Sequence, residues 1–422
     1  MSVLLRGSLF LVISFIFIAI IVYQSLSKKS VRKRAYTYLL LSSIFFPFLD
    51  LGISAGGLNL KVFYVGTITY FIFNYRPLIK IAKQYYLIPI YVVTLLFTSL
   101  MSEFVTDSLL SILDKLIGAI VFLAAIIVYD SIDEKNRLKL FAKYMKVPII
   151  TTILFGLIQV FINQDFTFFF SVVKEGTRIS SCYLDPQIAG CATAMLASYI
   201  WNKYLNHRNN FYLAIIAILV YIGLQTGSKV FILGFIISLI TPVFFTRKKT
   251  KFIITILIVA IVFILTQDYW SQLYIFERIN DAESSLETRQ GHYWLCAFKI
   301  FKDNWFCGIG SGIFKQYIEK HNIDLVHHQV SSGEIIYADQ PESGYLLWLD
   351  ELGIFSIIYI VIILYFVFKK YGNRYINLSI IAPWFIAFIS LYNLKSYMLA
   401  YILFTTLALM VIQTENRKHF KQ

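Results

Sequence analysis

Four polar segments of the sequence hold residue types that could transfer a group from a phosphate. Arg178 lies in a Gly-Thr-Arg-Ile-Ser-Ser segment, Lys229 ends a Thr-Gly-Ser-Lys segment, and Arg289 precedes a periodic stretch. The acids Asp339 and Glu342 follow further along the chain. Cations beside a carboxylate suit a reaction in which a phosphate-type group leaves and a hydroxyl attacks, because arginine binds phosphate bidentately and keeps its charge. Each residue alone is more often a solvated loop charge, so the elements that position them decide the interpretation.

The elements available to position these residues are long apolar runs. A helix needs roughly 15–25 apolar residues to cross the hydrocarbon of a bilayer. The first run has no small-residue cleavage site before its basic tail, so we interpret it as a retained span and not as a signal peptide. The sequence predicts thirteen spans, at residues 7–26, 36–53, 58–73, 85–101, 109–129, 147–163, 187–204, 211–225, 230–246, 252–267, 344–368, 376–392 and 396–413.

Composition and charge agree with a protein of many spans. Hydrophobic residues make up 58% of the chain and charged residues 15%, which excludes a soluble enzyme with one anchor and a disordered chain. Seven basic segments hold 25 of the 38 Lys and Arg residues and fall in every second gap between the spans. Because cytoplasmic loops are enriched in these residues, the alternation predicts the N-terminus outside and the C-terminus in the cytoplasm. The net charge of +14 then reflects topology and contact with the lipid bilayer, with no role for nucleic acid.

Two segments on the predicted outer face are long enough to carry function, at residues 164–186 and 268–343. The second of these segments, a large extracytoplasmic loop at 268–343, separates two groups of spans. Residues 1–267 contain ten spans, and residues 344–422 contain three spans and a basic tail. Within Thr288–Trp305, apolar residues recur on one face of a predicted amphipathic helix. That face consists of Trp294, Ala297, Phe298, Phe301 and Trp305.

The outer face has no supply of nucleotides, so a substrate there must arrive already activated. The sequence contains no Walker loop, HExxH, GxSxG or zinc-type spacing, and it predicts no metal and no cofactor. The Gly308-Ile-Gly-Ser-Gly312 segment follows a predicted helix and no strand, which favours a plain turn over a phosphate loop. Asp114 and Lys115, near the outer end of the fifth span, favour local pairing or snorkelling. Cys296 and Cys307 are about 15 Å apart along a helix, too far for a disulfide.

Three stretches between about residues 175 and 355 share their order and their predicted outer placement. They are Arg178-Ile-Ser-Ser-Cys-Tyr-Leu-Asp-Pro-Gln-Ile-Ala-Gly190, Thr226-Gly-Ser-Lys-Val230, and a long stretch from Arg289 through Trp305-Phe-Cys-Gly-Ile-Gly-Ser-Gly-Ile-Phe314 to Pro341-Glu-Ser-Gly-Tyr-Leu346 and Glu351-Leu-Gly353. Together they resemble the bacterial O-antigen polymerase (Wzy) and O-antigen ligase superfamily. The chain departs from that family at Lys229, where Arg is usual, and at Glu342-Ser343, where ligases typically carry His-Asn. It also lacks the His-x10-Gly pattern of some polymerases.

The resemblance implies an all-α, polytopic membrane protein of the GT-C type that acts on two undecaprenyl-diphosphate-linked glycans. Its polymerase branch moves a growing surface polysaccharide, such as O-antigen, capsule or exopolysaccharide, onto a new repeat unit at the outer face of the bacterial cytoplasmic (inner) membrane. Arg178 and Arg289 would hold the donor diphosphate, and Glu342 would accept the proton of the attacking hydroxyl, without a metal. The implied substrate-binding residues are Lys229, Asp339, Tyr345 and Asp185. The family also suggests a separate chain-length regulator as a partner.

Two other functions stay open at this point. A flippase or transporter of lipid-linked oligosaccharides would explain many spans, but the span centres carry almost no charge and the sequence shows no repeated half. A ligase that hands a finished glycan to lipid A or to protein would share the fold and the donor. In the sequence, only Glu342-Ser343 separates the polymerase from the ligase.

Overall fold

A computed structural model of the chain contains fifteen α-helices and two short β-hairpins in the part that it describes. The predicted tenth span at 252–267, Arg289 and Asp339 lie outside the described residues. The described residues are 3–55, 58–85, 87–166, 178–245, 291–323, 326–329, 335–338, 340–365, 375–390 and 396–419.

Between residues 3 and 245, the described part of the chain forms nine α-helices and one antiparallel hairpin. The hairpin pairs Gly52 with Lys61 and Ala55 with Leu58. In chain order these elements are α1 (Val3–Leu26), α2 (Val31–Ile44), β1 (Gly52–Ala55), β2 (Leu58–Lys61), α3 (Val62–Ala82), α4 (Leu87–Leu100), α5 (Val105–Asp130), α6 (Glu134–Phe161), α7 (Pro186–His207), α8 (Asn210–Gln225) and α9 (Lys229–Phe245).

The described residues of the second half form six helices and a second antiparallel hairpin. In this hairpin Val326 lies opposite Tyr337 and Gln329 opposite Ile335. In chain order these elements are α10 (Gly291–Asp303), α11 (Phe314–Lys320), β3 (Val326–Gln329), β4 (Ile335–Tyr337), α12 (Gly344–Leu352), α13 (Ile354–Tyr365), α14 (Tyr375–Ser390) and α15 (Tyr397–His419).

The helices identify a multi-pass membrane protein. Leu5–Leu26, Val105–Asp130 and Asn136–Phe161 are each long and apolar enough to cross a bilayer. The pair α3 and α4, bent by 113° between them, adds a fourth if it counts as one broken span. Large apolar side chains such as Phe15 and Phe161 are 70% exposed, which suits lipid and not water. The helical class is therefore confirmed for the described residues, whereas the count of thirteen spans stays a prediction.

The predicted second and third spans differ from the observed elements. Hydropathy predicts one helix over residues 36–53, but α2 ends at Ile44 and a 3₁₀ turn follows at Phe46–Phe48. The proline of this turn, Pro47, cannot continue a helix hydrogen-bond pattern, which explains the early end. Residues 58–61, the start of the predicted third span, belong instead to β2, and α3 begins at Val62.

The predicted eleventh span at 344–368 is broken after nine residues. Gly353 separates α12 from α13 with φ +58° and ψ −140°, a conformation that favours glycine. A Cβ atom there would lie 2.6 Å from the carbonyl oxygen of Phe306 and 2.7 Å from that of Trp305. The break therefore lets the backbone of residues 305–308 approach the helix, and the amide of Ile354 donates to Trp305 O over 2.7 Å.

The helix predicted within Thr288–Trp305 is present as α10, and the residues of its predicted apolar face divide between buried and exposed positions. Tyr293, Ala297 and Ile300 are buried, while Phe298 and Trp305 are 59% and 56% exposed. The helix packs against α12. The exposed aromatic residues of this set suit contact with lipid.

One helix, α7, lies at the centre of the bundle. Residues 188–202 are buried on every side, and α7 packs against α8, α9 and α14. Its many small residues, such as Ala189, Ala192 and Ala197, let the neighbouring backbones approach closely, as helix contacts in membranes require. The N-terminal end of α7 therefore has a fixed position, and the segment with Arg178 leads directly into it.

An exposed ion pair attaches the end of α11 to the turn between α4 and α5. The ammonium of Lys320, at the end of α11, lies 2.8 Å from a carboxylate oxygen of Glu103, between α4 and α5. The imidazole of His321 lies 3.1 Å from the same oxygen. The hydrogen bond from Lys320, aided by His321, lowers the pKa of Glu103 below its ordinary value of 4.5.

We expect this attachment to weaken only in acid. A carboxylate whose pKa is lower in the folded state stabilises the fold above its unfolded pKa and loses that contribution as the pH falls through its folded pKa. Hydrogen exchange of α11, corrected for intrinsic rates, should therefore be constant above pH 4.5 and accelerate a few-fold below it. Glu103→Gln should abolish this pH dependence. An unchanged acid response in that variant would contradict the assignment.

Candidate functional site

Arg178 lies against the turn that joins α8 to α9. Its side chain is 5% exposed, and Nε donates a hydrogen bond of 2.8 Å to the carbonyl oxygen of Thr226. The neighbouring amide of Ile179 donates to Gln225 O over 3.2 Å. Two of the three motif stretches, which are about fifty residues apart in sequence, are therefore brought together by direct hydrogen bonds.

The same turn holds Lys229 as the first residue of α9, where its side chain is half-buried. The N-terminus of a helix carries partial positive charge and attracts anions. The buried hydroxyls of Ser180 and Ser228 have no hydrogen-bond partner among the described residues. Buried polar groups are normally paired, so these two hydroxyls leave hydrogen-bonding capacity unused beside the turn. Charge, helix end and hydroxyls together suit an anion such as a phosphate.

Asp185 has a structural task at this position. It precedes Pro186 at the start of α7, and its carboxylate accepts hydrogen bonds from the amides of Gln187 and Ile188. This is an N-cap followed by proline at the first helical position, which stabilises the helix start. The cap fixes the entry into α7 and thereby the segment that carries Arg178.

Gly190 allows the turn to approach α7. A Cβ atom at Gly190 would lie 2.5 Å from Cβ of Ser228 and 2.7 Å from its Oγ. These separations are well below van der Waals contact, so only a glycine fits without moving the turn. The close approach sets the position of the Thr226–Lys229 segment relative to Arg178.

We expect Gly190→Ala to lower the unfolding free energy by about 1–3 kcal/mol, the usual cost of overpacking. The matched control is Gly7→Ala in α1, where nothing lies within 4 Å of the added Cβ atom. Apparent Tm values of the two purified variants in the same detergent measure the difference. Equal Tm values would show that the turn moves away at no cost.

Glu342 and Tyr345 form a second group at the start of α12. Glu342 is half-buried and has φ +50°, a left-handed conformation uncommon for residues other than glycine. Ser343 caps α12, because its Oγ accepts the amide hydrogen of Leu346. Tyr345 packs edge-on against Phe388, and its hydroxyl donates to Phe385 O over 3.2 Å. The backbone of Glu342 is therefore held between a buried proline, Pro341, and a capped helix.

Helix α14 borders both groups. Its Phe385 and Phe388 contact Tyr345, and its Pro383 packs against Gly234 of α9. The thiol of Cys191, in α7, lies 3.8 Å from Pro383 O. One helix therefore fixes the position of the Glu342 group relative to α9, which begins at Lys229, and to α7, which follows the Arg178 segment.

The glycine-rich turn at residues 308–312 is a fixed structural turn. Its amides are used by the protein: Ile309 N donates to Asp350 O over 2.7 Å, and Gly312 N donates to the Glu351 carboxylate over 2.7 Å. Amides that are already paired cannot cradle a phosphate. The prediction of a plain turn is therefore confirmed.

Comparison with protein families identifies the second part of the chain. Residues 211–361 match the family model described as O-antigen ligase. This region is similar to the O-antigen ligase family. No curated protein matches the chain. The match supports glycan transfer of the O-antigen ligase and polymerase type, and it includes Lys229, Glu342 and Tyr345 but not Arg178.

Glu351, also within the region matched by the family model, forms a buried ion pair with Lys115 of α5. Their side chains are 2% and 7% exposed. On the same helix, Ser111 donates through Oγ to Ser311 O over 2.7 Å. These contacts attach the glycine-rich turn to α5 and α12, and they confirm local pairing for Lys115. In the sequence Glu351 stands out only as part of a motif, and spacing does not identify its partner.

Asp50 is absent from the residues that the sequence singles out, because it lies inside a predicted span. It is 2% exposed and accepts hydrogen bonds from Ser396 Oγ at 2.9 Å and from Tyr397 N at 3.0 Å, at the start of α15. Lys61 lies 3.1 Å from the same carboxylate. The hydroxyl of Tyr397 in turn donates a hydrogen bond of 2.7 Å to the carboxylate of Asp114, which gives that acid a partner. A charged residue in an apolar run is the signal that could have identified Asp50.

Proposed function

We propose that the chain polymerises undecaprenyl-diphosphate-linked oligosaccharide repeat units into a surface polysaccharide at the outer face of a bacterial cytoplasmic membrane. The observation that carries this proposal is the position of Arg178. Its buried guanidinium lies at a turn that ends in Lys229 and the N-terminus of α9. This arrangement favours a polyanion, and a diphosphate leaving group is the polyanion available to an enzyme without access to nucleotides.

In the proposed reaction, the bond between C1 of the donor sugar and the diphosphate oxygen breaks. The bonding electrons leave with undecaprenyl diphosphate, whose growing charge is stabilised by Arg178, Lys229 and, outside the described residues, Arg289. A hydroxyl of the acceptor repeat unit forms the new bond to C1 and gives its proton to Glu342. The left-handed backbone of Glu342 supports this role, because strained residues persist where the surroundings hold them for function.

The remaining residues take supporting roles in the proposed reaction. Tyr345 would contact the acceptor through its ring, since its hydroxyl is bonded to Phe385 O. Asp339 would also position the acceptor, and Asp185 would act indirectly, as the cap of α7. The reaction as written needs no metal, because cationic side chains neutralise the diphosphate. A separate membrane protein would regulate chain length.

The experiment is a gel of surface polysaccharide from a strain with this gene deleted and complemented by variants. Polymerisation predicts that deletion leaves single repeat units on the acceptor and removes the long ladder. Wild type should restore the ladder and Glu342→Gln should not. Glu319→Gln, an exposed glutamate of the same loop that pairs only with Lys315 among the described contacts of α11, is the matched control and should restore it fully.

The second candidate is a ligase, favoured by the description of the family that residues 211–361 match. A ligase predicts that deletion removes even the single repeat unit from the acceptor, while lipid-linked glycan accumulates on the outer face. That result would overturn polymerisation. Loss of the single repeat without outer accumulation would favour a flippase.

A further inference from the structure

A cleft far along the chain from the proposed reaction site opens between the ends of three helices. It has a volume of about 560 Å³, within the range of small-molecule sites. Its walls come from the start of α2, the end of α5, the turn after α5 and the first turns of α6. Because α5 and α6 are long enough to span a bilayer, this end of both helices lies where they leave the hydrocarbon.

The rim of the cleft is cationic and rich in hydrogen-bond donors. Arg32 and Lys33 line it with exposed side chains, together with Tyr36 and Asn136. Lys143 adds a third cation at the edge, because its ammonium donates to the Tyr36 hydroxyl over 2.7 Å. Guanidinium, ammonium and hydroxyl groups on one rim match the oxygens of a phosphate.

The floor of the cleft is apolar. Val128, Ile132 and Leu140 form it, and Val128 is 1% exposed. A free phosphate gains nothing from such a floor, whereas a glycerophospholipid places its phosphate at the rim and its glycerol and first acyl carbons against the floor. The combination therefore selects a lipid over a small anion.

The charges around the cleft favour an acidic lipid. The segments at residues 28–34 and 135–146 carry ten Lys and Arg residues. Asp130 and Asp133, in the turn between α5 and α6, are exposed and are not part of the lining. Basic pockets between membrane helices bind acidic head groups for this reason. On the predicted topology the cleft faces the cytoplasmic leaflet, opposite to the proposed reaction site.

We propose that this cleft is a binding site for one acidic glycerophospholipid, held by Arg32 and Lys33 at its phosphate. The site is independent of the proposed polymerase reaction and does not require it. Its ligand is a structural lipid that joins α2 to the turn between α5 and α6.

The test uses the full chain in detergent, titrated with phosphatidylglycerol and observed by native mass spectrometry. Arg32→Ala/Lys33→Ala should weaken binding by about 30-fold, since each cation near an acidic lipid contributes about five-fold. The matched control is Lys139→Ala/Lys146→Ala, which removes two exposed cations of α6 that do not line the cleft. It should weaken binding by less than about five-fold. An equal loss of affinity in the two variants would show that surface charge alone causes the effect, and it would overturn the proposed site.

Three further measurements test the apolar floor, the head-group charge and the bare anion. Leu140→Trp fills the apolar floor and keeps every cation, so it should abolish phosphatidylglycerol binding if the lipid occupies the cleft. Unchanged binding would overturn the proposed site. Phosphatidylcholine should bind at least ten-fold more weakly than phosphatidylglycerol, and equal binding would overturn the selection of acidic lipid. Inorganic phosphate at millimolar concentration should not displace the lipid, and full displacement would show that the site takes a bare anion.

Discussion

Replacing Glu351 with alanine is expected to lower the unfolding free energy by about 3–5 kcal/mol, because it removes the carboxylate that pairs with a buried ammonium. The two side chains of the pair, Lys115 and Glu351, are 7% and 2% exposed, so water cannot replace the lost partner. The variant also removes the acceptor of the Gly312 amide. Denaturant titration in mixed micelles, followed by tryptophan fluorescence, measures the change.

A double variant separates charge from packing at this site. Lys115→Met/Glu351→Gln buries no charge, and the glutamine oxygen can still accept the Gly312 amide hydrogen, so most of the stability should return. The exposed pair of Lys320 and Glu103 is the comparison, because Lys320→Met should change the unfolding free energy by less than about 1 kcal/mol. If Lys115→Met/Glu351→Gln were as unstable as Glu351→Ala, the buried pair would not be the cause.

Arg178→Gln is expected to reduce polysaccharide polymerisation by about 100- to 1,000-fold, the usual effect of removing one group that stabilises developing charge. Glutamine keeps a donor for Thr226 O but loses the positive charge. Arg178→Lys keeps a positive charge but loses the planar guanidinium that binds phosphate bidentately. It should therefore retain more activity than Arg178→Gln. Ladder length and radiolabelled repeat incorporation in membranes measure both.

A structural role for Arg178 predicts the opposite order. If only the hydrogen bond to Thr226 O mattered, Arg178→Gln would be active and Arg178→Lys would not. Arg208→Gly is the matched control, since it removes an exposed arginine just beyond the opposite end of α7, where φ is +51° and glycine fits. It should retain full activity at the same membrane protein level.

Most helices were predictable from the sequence, because apolar runs of this length have few alternatives in a bilayer. The departures occur where a local residue interrupts a run: Pro47 ends α2, and Gly353 divides α12 from α13. Hydropathy averages over such residues. The apolar face of α10 was predictable as a pattern, but which of its residues are buried depends on how the helix packs against α12.

The candidate site was predictable in its composition but not in its geometry. Motif resemblance and topology placed Arg178 and Lys229 on one face, yet the hydrogen bond from Arg178 to Thr226 joins segments whose distance depends on how α7, α8 and α9 pack. Asp50 and the partner of Glu351 were missed because each contact joins distant parts of the chain. Spacing in the sequence contains no information on such pairs.

The cap that Asp50 provides for α15 has a consequence for biosynthesis. Its partner Ser396 lies 346 residues later in the chain, so at about 5–20 residues per second the ribosome needs roughly 20–70 s to supply it. During that interval the carboxylate of Asp50 lacks the hydrogen-bond donors at the start of α15. Lys61, only 11 residues away, is synthesised almost at once, and its ammonium can pair with the carboxylate before the last helix is made. We therefore expect the Lys61–Asp50 pair to form during synthesis, before α15 completes the set of hydrogen bonds to Asp50.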